Sequence, residues 1–241
     1  MRNWLIFNGK STKDFGVYIS GLKTFDAPER DVEIISRPGR NGDLTLDNGR
    51  YKNIDISYPA FIYDRMSENV AGLRNYLLSQ NGYVRLEDTY HPDEFRLARF
   101  KGPFSVKVVD WLEAGEFDLT FDCYPQRFLK EGEKPIIPFS GTLPATIFNP
   151  GMKTYPLLKL SKNAALRIND IRISCQCEPD EIVTVDCYLE EAYIGTPATP
   201  ANNKITLVNG VFPWFEPGEN ILHDENQGWS GDEVIPRWWI L

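Results

Sequence analysis

The sequence predicts a mainly β protein with two domains: a β-sheet domain carrying one packed helix, then a second all-β domain. Three observations support this. With 18 glycines and 17 prolines in 241 residues, the chain is cut into short elements, because glycine supplies positive φ while proline fixes φ and removes a donor. Apolar residues alternate with polar ones along many short runs, the period of half-buried strands. Helical spacing is sustained once only, by Met66, Val70, Leu73 and Leu77. Domains usually hold about 100 to 200 residues, so this length suits one large β domain or two smaller ones.

The first domain opens with Trp4 to Ser20, read as a hairpin: a strand, an Asn8-Gly9 turn, and a second strand from Phe15 to Ile19. Val32 to Tyr58 follows as two strands, around Val32-Ile34 and Ile54-Tyr58, joined by an arm from Arg37 to Arg50. Pro38-Gly39, Asn41-Gly42-Asp43 and Asn48-Gly49 each signal a turn there. With so few apolar residues, the arm has little to bury in its own domain. The single helix should begin at Ser67 as N-cap and end at Asn81-Gly82. Strands then run from Tyr83 to Glu87, Phe95 to Phe100 and Phe104 to Trp111. In Phe117 to Cys123 the alternation is clean, so Phe117, Leu119, Phe121 and Cys123 share the core face.

Phe128 to Gly141 carries charge, prolines and glycines without periodicity, as linkers do, and the boundary is placed there: 1–134 and 135–241. In the second domain, Ile171, Ile173, Cys175 and Cys177 on one strand and Val183, Val185, Cys187 and Leu189 on the next form an expected hairpin with these residues inward. Arg172, Ser174, Gln176, Thr184, Asp186 and Glu190 then point outward. The chain closes on a loop over Gly195 to Asn203, a strand from Lys204 to Asn209, and aromatic strands within FPWFEPGENIL and IPRWWIL.

Charge and motif content narrow the function. A net charge of −8 argues against general affinity for nucleic-acid phosphates, which needs clustered Lys and Arg. The opening run of apolar residues, Trp4 to Phe7, falls short of the ~7 to 15 of a signal-peptide core, and no run reaches the ~18 of a membrane span. The protein is expected to be made and kept in a cytoplasm, without membrane insertion. Cys175-x-Cys177 is too tight for a zinc pair and Cys123 too remote, so the four cysteines are read as free thiols filling core. Gly39-Arg-Asn-Gly-Asp43 lacks the spacing and lysine of a phosphate loop. His91, beside Asp93 and Glu94, could be drawn as an acid-base or metal cluster and is read as a loop. Glu190-Glu191 and Asp232-Glu233 face apart on strands and cannot converge on a glycosidic bond. No catalytic residue, cofactor or metal is expected.

Taken end to end, the chain resembles the phage distal tail protein family, the baseplate hub of long-tailed, non-contractile bacteriophages. The pieces that carry the resemblance are FNGKSTKDFGVYIS, RPGRNGDLTLDNGRYKN, DLTFDCYPQRFLKEG, IFNPGMKTYPLLKL, FPWFEPGENI and IPRWWIL, in this order and spacing. It implies an N-terminal domain that forms a six-membered ring and a C-terminal galectin-like β-sandwich displayed outward. A homohexamer would dock to the tail-tube protein on one side and to the tail-associated lysin or tail-tip protein on the other. DNA would pass through its channel without sequence-specific binding, and the protein would reside at the virion tail tip. Under this reading Arg37, Gly39, Arg40, Asn41, Gly42, Asp43 and Arg50 form a subunit interface; a solvated loop and DNA contact are the alternatives. The competing function is a carbohydrate-binding β-sandwich adhesin, with Trp214, Trp229 and Trp238 as sugar contacts. Alternation across IPRWWIL places Trp238 and Trp239 on opposite faces, so at most one lies in the core.

Overall fold

The computed structural model describes residues 2–110, 114–136, 144–225 and 232–241. They form two compact units, Met1–Arg127 with Leu241, and Phe128–Ile240. The division falls earlier than the expected 134/135 junction. Residues after Arg127 are already bonded within the second unit: Leu129 N donates to Trp238 O at 2.9 Å, Arg237 N to Gly132 O at 2.7 Å, and Ile136 and Val234 exchange both backbone bonds. Gly132 is required there, because a Cβ would stand 2.3 Å from the Trp238 nitrogen.

In the first unit, β1 (Leu5–Phe7) and β2 (Lys10–Ser11) form the hairpin over Asn8-Gly9, both at positive φ (46° and 79°). Its second strand is not the one expected. A 3₁₀ turn over Thr12–Phe15, ended by Gly16 at φ 66°, redirects the chain. β3 (Val17–Ile19) pairs instead with β6 (Ile54–Ile62). Between these lie β4 (Arg30–Ile35) and β5 (Leu44–Tyr51), a separate two-stranded sheet. β7 (Val84–Asp88), β8 (Glu94–Phe100), β9 (Lys107–Asp110) and β10 (Ala114–Cys123) complete the main sheet, ordered β2-β1-β7-β8-β10-β6-β3, with β9 alongside the start of β10. A bridge between Asn3 and Ile19 brings the ends of this sheet together, so the sheet curls into a barrel.

Inside the barrel, Phe117, Leu119, Phe121 and Cys123 are buried as alternation demands, against Ile56, Tyr58, Ala60 and Ile62 of β6. Helix α1 (Met66–Ser79) buries Leu73 and Leu77 and anchors through Tyr76, whose hydroxyl donates to Phe7 O at 2.6 Å. Its N-cap is Arg65 at φ 42°, with no side-chain cap bond, and Ser67 lies inside the first turn.

The second unit is a two-sheet sandwich. After β11 (Arg127–Leu129), one sheet is built from β12 (Ala145–Asn149), β14 (Ala165–Ile168), β15 (Ile171–Cys175), β18 (Ile205–Leu207) and β19 (Gly218–Asp224), ordered β12-β19-β14-β15-β18. The other uses β13 (Leu157–Leu160), β16 (Val183–Asp186), β17 (Glu191–Ile194) and β20 (Glu233–Ile235), ordered β17-β16-β13-β20; β21 (Trp239–Ile240) ends the chain. The expected Cys175/Val183 hairpin is therefore corrected, because β15 and β16 lie in opposite sheets. Their inward residues do meet: Ile173, Cys175, Val183, Val185 and Cys187 fill one core with Leu158, Leu166, Phe215 and Leu222. Leu189 is exposed instead, and Asp186, expected outward, is buried. Asp186 takes a two-pronged bond from Arg237, Nη1 and Nη2 each at 2.8 Å, plus the Tyr188 and Leu189 N–H groups.

Candidate assembly surface

The arm is a ribbon rather than a string of turns. In β4 and β5 the partners are Glu33 with Leu46, Ile34 with Thr45, and Ile35 with Leu44. Directly opposed residues share a face, so Ile35, Leu44 and Leu46 line one side, while Ile34 and Val32 line the other. Leu44, Leu46 and Ile34 are 51%, 53% and 65% exposed. A two-stranded sheet is marginal by itself in water, and this one carries uncovered apolar side chains on both faces.

Its base is held by charge. Arg30 Nε lies 2.6 Å from Asp47 and its Nη1 donates to the Tyr51 hydroxyl at 3.0 Å; Arg50 Nε lies 2.7 Å from Asp31, and Lys52 Nζ 3.3 Å from Glu29. Asn48-Gly49 is a bulge, not a turn: the register shifts between Arg30 and Val32, and Gly49 at φ 73° donates its N–H to Asp47 Oδ1 at 2.8 Å. That bond, with Arg30, holds the Asp47 carboxyl below its ordinary pKa; Arg50 does the same for Asp31.

Among the residues singled out from the sequence, Arg37, Gly39, Arg40, Asn41, Gly42 and Asp43 all gather at the exposed tip, residues 36–43. Gly39 and Gly42 have φ of 81° and 83°, with nothing within 4 Å of a would-be Cβ. Arg37 and Arg40 make no ion pair among the described residues, whereas Arg50 is at the base and already engaged. What sequence reading missed is the apolar content of the arm, although Leu44-Thr45-Leu46-Asp47 alternates as a strand does.

No family model and no curated protein matches the chain. Solved structures do. The crystal structure of the phage SPP1 Dit (gp 19.1) protein, described as a paradigm of the hub adsorption apparatus in Gram-positive-infecting phages, aligns at TM-score 0.75 over 99% of both chains, at 11% identity. This chain has the Dit fold. A chain of the phage P2 baseplate, in its activated conformation with calcium, aligns at TM-score 0.47 and 10% identity, over 94% of this chain and 99% of that one.

Within this Dit fold the tryptophans singled out for sugar contact are dispersed. Trp238 is 4% exposed and packs on Phe215 at 5.1 Å between ring centres, so its face is closed to a sugar. Trp214 is half-buried, with Lys153 Nζ 3.6 Å above its ring and its Nε1 donating to Glu216 at 2.5 Å; Trp229 lies outside the described residues. The paired carboxylates do not converge: Asp232 is buried against the Ser161 N–H, and Glu233 pairs with Lys159 at 2.6 Å. His91 is a turn residue whose Nδ1 faces Asp88 at 3.0 Å. Among the described residues, no group of three or more His, Cys, Asp or Glu is placed to hold a metal ion, and no helix is long and apolar enough to cross a membrane.

The cysteines are free. Cys123, Cys175 and Cys187 are buried and Cys177 is half-buried. Burial pushes the Cys123 and Cys175 thiols up to about 12 and drives Cys187 upward as well.

Proposed function

We propose that this chain is the distal tail protein of a long, non-contractile-tailed phage. It is a non-enzymatic structural subunit of the baseplate hub, forming a hexameric ring that joins the tail tube to the tail-associated lysin or tail-tip protein and surrounds the channel through which DNA leaves. The observation that carries this reading is the extent of the likeness. The Dit fold runs through 99% of each chain, so both units correspond in order and size, not one common β domain alone.

The ribbon supports the same reading on physical grounds. A neighbouring copy in a closed ring offers the same surface to every ribbon, and covering Leu44, Leu46 and Ile34 would remove apolar area that its own chain leaves in water. In this reading Arg37, Arg40, Asn41 and Asp43 contact the neighbour, Gly39 and Gly42 shape the tip, and Arg50 fixes the ribbon's register through Asp31. The acidic balance fits a channel that lets DNA through without retaining it. The ring would be assembled in the host bacterial cytoplasm and reside at the virion tail tip.

Size-exclusion chromatography with light scattering, followed by negative-stain electron microscopy, tests the proposal. A six-membered ring is expected at high protein concentration or on adding the tail-tube protein. A strict monomer under both conditions would overturn it.

A further inference from the structure

A solvent-open pocket of about 360 Å³ lies between the barrel wall of the first unit and the exposed segment 20–26, and part of its wall is charged where alternation would place apolar side chains. Arg96 on β8 lies directly opposite Leu86, and Ala98 opposite Val84. Leu86 and Ala98 are buried, so Glu94, Arg96 and Ala98 all face inward.

Most of this charge is answered within the chain. Arg127 Nη1 stands 3.3 Å from Glu94, and its Nη2 donates to Leu241 O at 3.2 Å. Asp88 accepts from the Tyr58 hydroxyl at 3.0 Å and from the His91 N–H at 2.8 Å, with His91 Nδ1 3.0 Å away. Asp26, at the rim, is exposed, where solvent and salt screen it. Arg96 is the exception: it makes no hydrogen bond or ion pair among the described residues. Its Nη1, Arg127 Nε and His91 Nε2 are all buried without a hydrogen-bond partner, as is one acceptor of the same pocket, Glu94 Oε2. Arg96 as a whole is half-buried, but a guanidinium nitrogen held out of water without a hydrogen-bond partner is costly; burial lowers the Arg96 pKa, with Asp26 acting in the opposite sense.

We propose that this pocket binds a small oxyanion, a carboxylate or phosphate group, with Arg96 as the principal ligand-holding residue and Arg127 beside it. The planar guanidinium fork matches the two oxygens of either group. The volume sits near the lower end of the ~300 to 1,000 Å³ of small-molecule sites. The site is a property of one chain and does not depend on the hub reading.

Isothermal titration calorimetry on the full chain tests this, with inorganic phosphate and succinate as probes at matched ionic strength and chloride as the blank. Saturable binding of at least one probe is expected, weakened about tenfold or more in Arg96→Met, as loss of a charge-assisted pair implies. Arg96→Lys keeps the charge, loses the fork and binds between the two. Phosphate-only or succinate-only binding identifies the group the site takes. The proposal is overturned if wild-type protein binds neither probe, or if Arg96→Met binds as tightly as wild type. Should Arg96→Met not fold, Arg96→Lys with unchanged affinity overturns it equally.

Discussion

Two antiparallel strand pairs in the first unit have similar alternation and opposite fates. In β6 and β10, Leu119 and Phe121 are fully buried, because the sheet curls over them and α1 closes the barrel. In β4 and β5, Leu44 and Leu46 stand more than half exposed, because nothing among the described residues covers them. Alternation therefore specifies that a strand has an apolar face, and leaves open whether the cover comes from the same chain or another.

The sharpest way to break this contrast is to truncate one leucine on each pair. Leu119→Ala should destabilise the first unit by about 2–5 kcal/mol through lost burial and a residual cavity. Leu46→Ala should change the isolated chain by no more than about 0.5 kcal/mol. Urea unfolding followed by far-UV circular dichroism reads both, and equal effects would place the ribbon in a covered site.

Glycine substitutions sharpen the same point at smaller scale. At Gly151 a Cβ would stand 2.0 Å from Trp239 O, so Gly151→Ala should cost the second unit about 3 kcal/mol. At Gly39, with open space but φ at 81°, alanine should cost about 1 kcal/mol. Thermal melts of the two variants should differ accordingly.

Asp186 provides a pH test. Its burial alone would raise the carboxyl pKa, but Arg237 and the Tyr188 and Leu189 N–H groups outweigh that and hold it below its ordinary value. A depressed folded-state pKa contributes stability that is present above the unfolded value, near 3.9, and is lost as pH falls through the folded one. Arg237 is partly exposed, so Arg237→Met should destabilise the second unit by about 1–3 kcal/mol near pH 7. The gap should close in acid; a gap independent of pH would assign the loss to packing. The smallest effect on folding is expected from Leu44→Asp with Leu46→Asp, which should leave both units' melts nearly unchanged while abolishing, by light scattering, the ring proposed above.

Legibility in the sequence followed what alternation can encode. The β10 face was readable because Phe117, Leu119, Phe121 and Cys123 are strictly spaced. The inward residues Ile173, Cys175, Val183 and Val185 of β15 and β16 were readable too, but buried Asp186 and the strands' partners were not: two strands looking into one core from opposite sheets present the same pattern as a hairpin. The Asn8-Gly9 turn was legible, while β3 went to β6 because Gly16 turns the chain away. The ribbon tip was located by its glycines, whereas Asn48-Gly49 became a bulge, a choice set by cross-strand register. The inward direction of Arg96 was not legible, because a charged residue at an alternate position reads as a solvent face, and Glu94, read as part of a loop, is the first residue of β8.

The four thiols give the molecule a built-in readout of its own opening. With the Cys123 and Cys175 thiols pushed up to about 12 and out of solvent, almost no nucleophilic thiolate is available to an alkylating reagent while each unit stays closed. Half-buried Cys177 is placed to react ahead of the others. Cys123 then becomes modifiable only when the barrel opens, and Cys175 and Cys187 only when the sandwich does. Mass-resolved labelling rates on unaltered protein thus separate the breathing of the two units, and a slowing confined to Cys123 under conditions that favour the proposed ring would assign its contacts to the first unit.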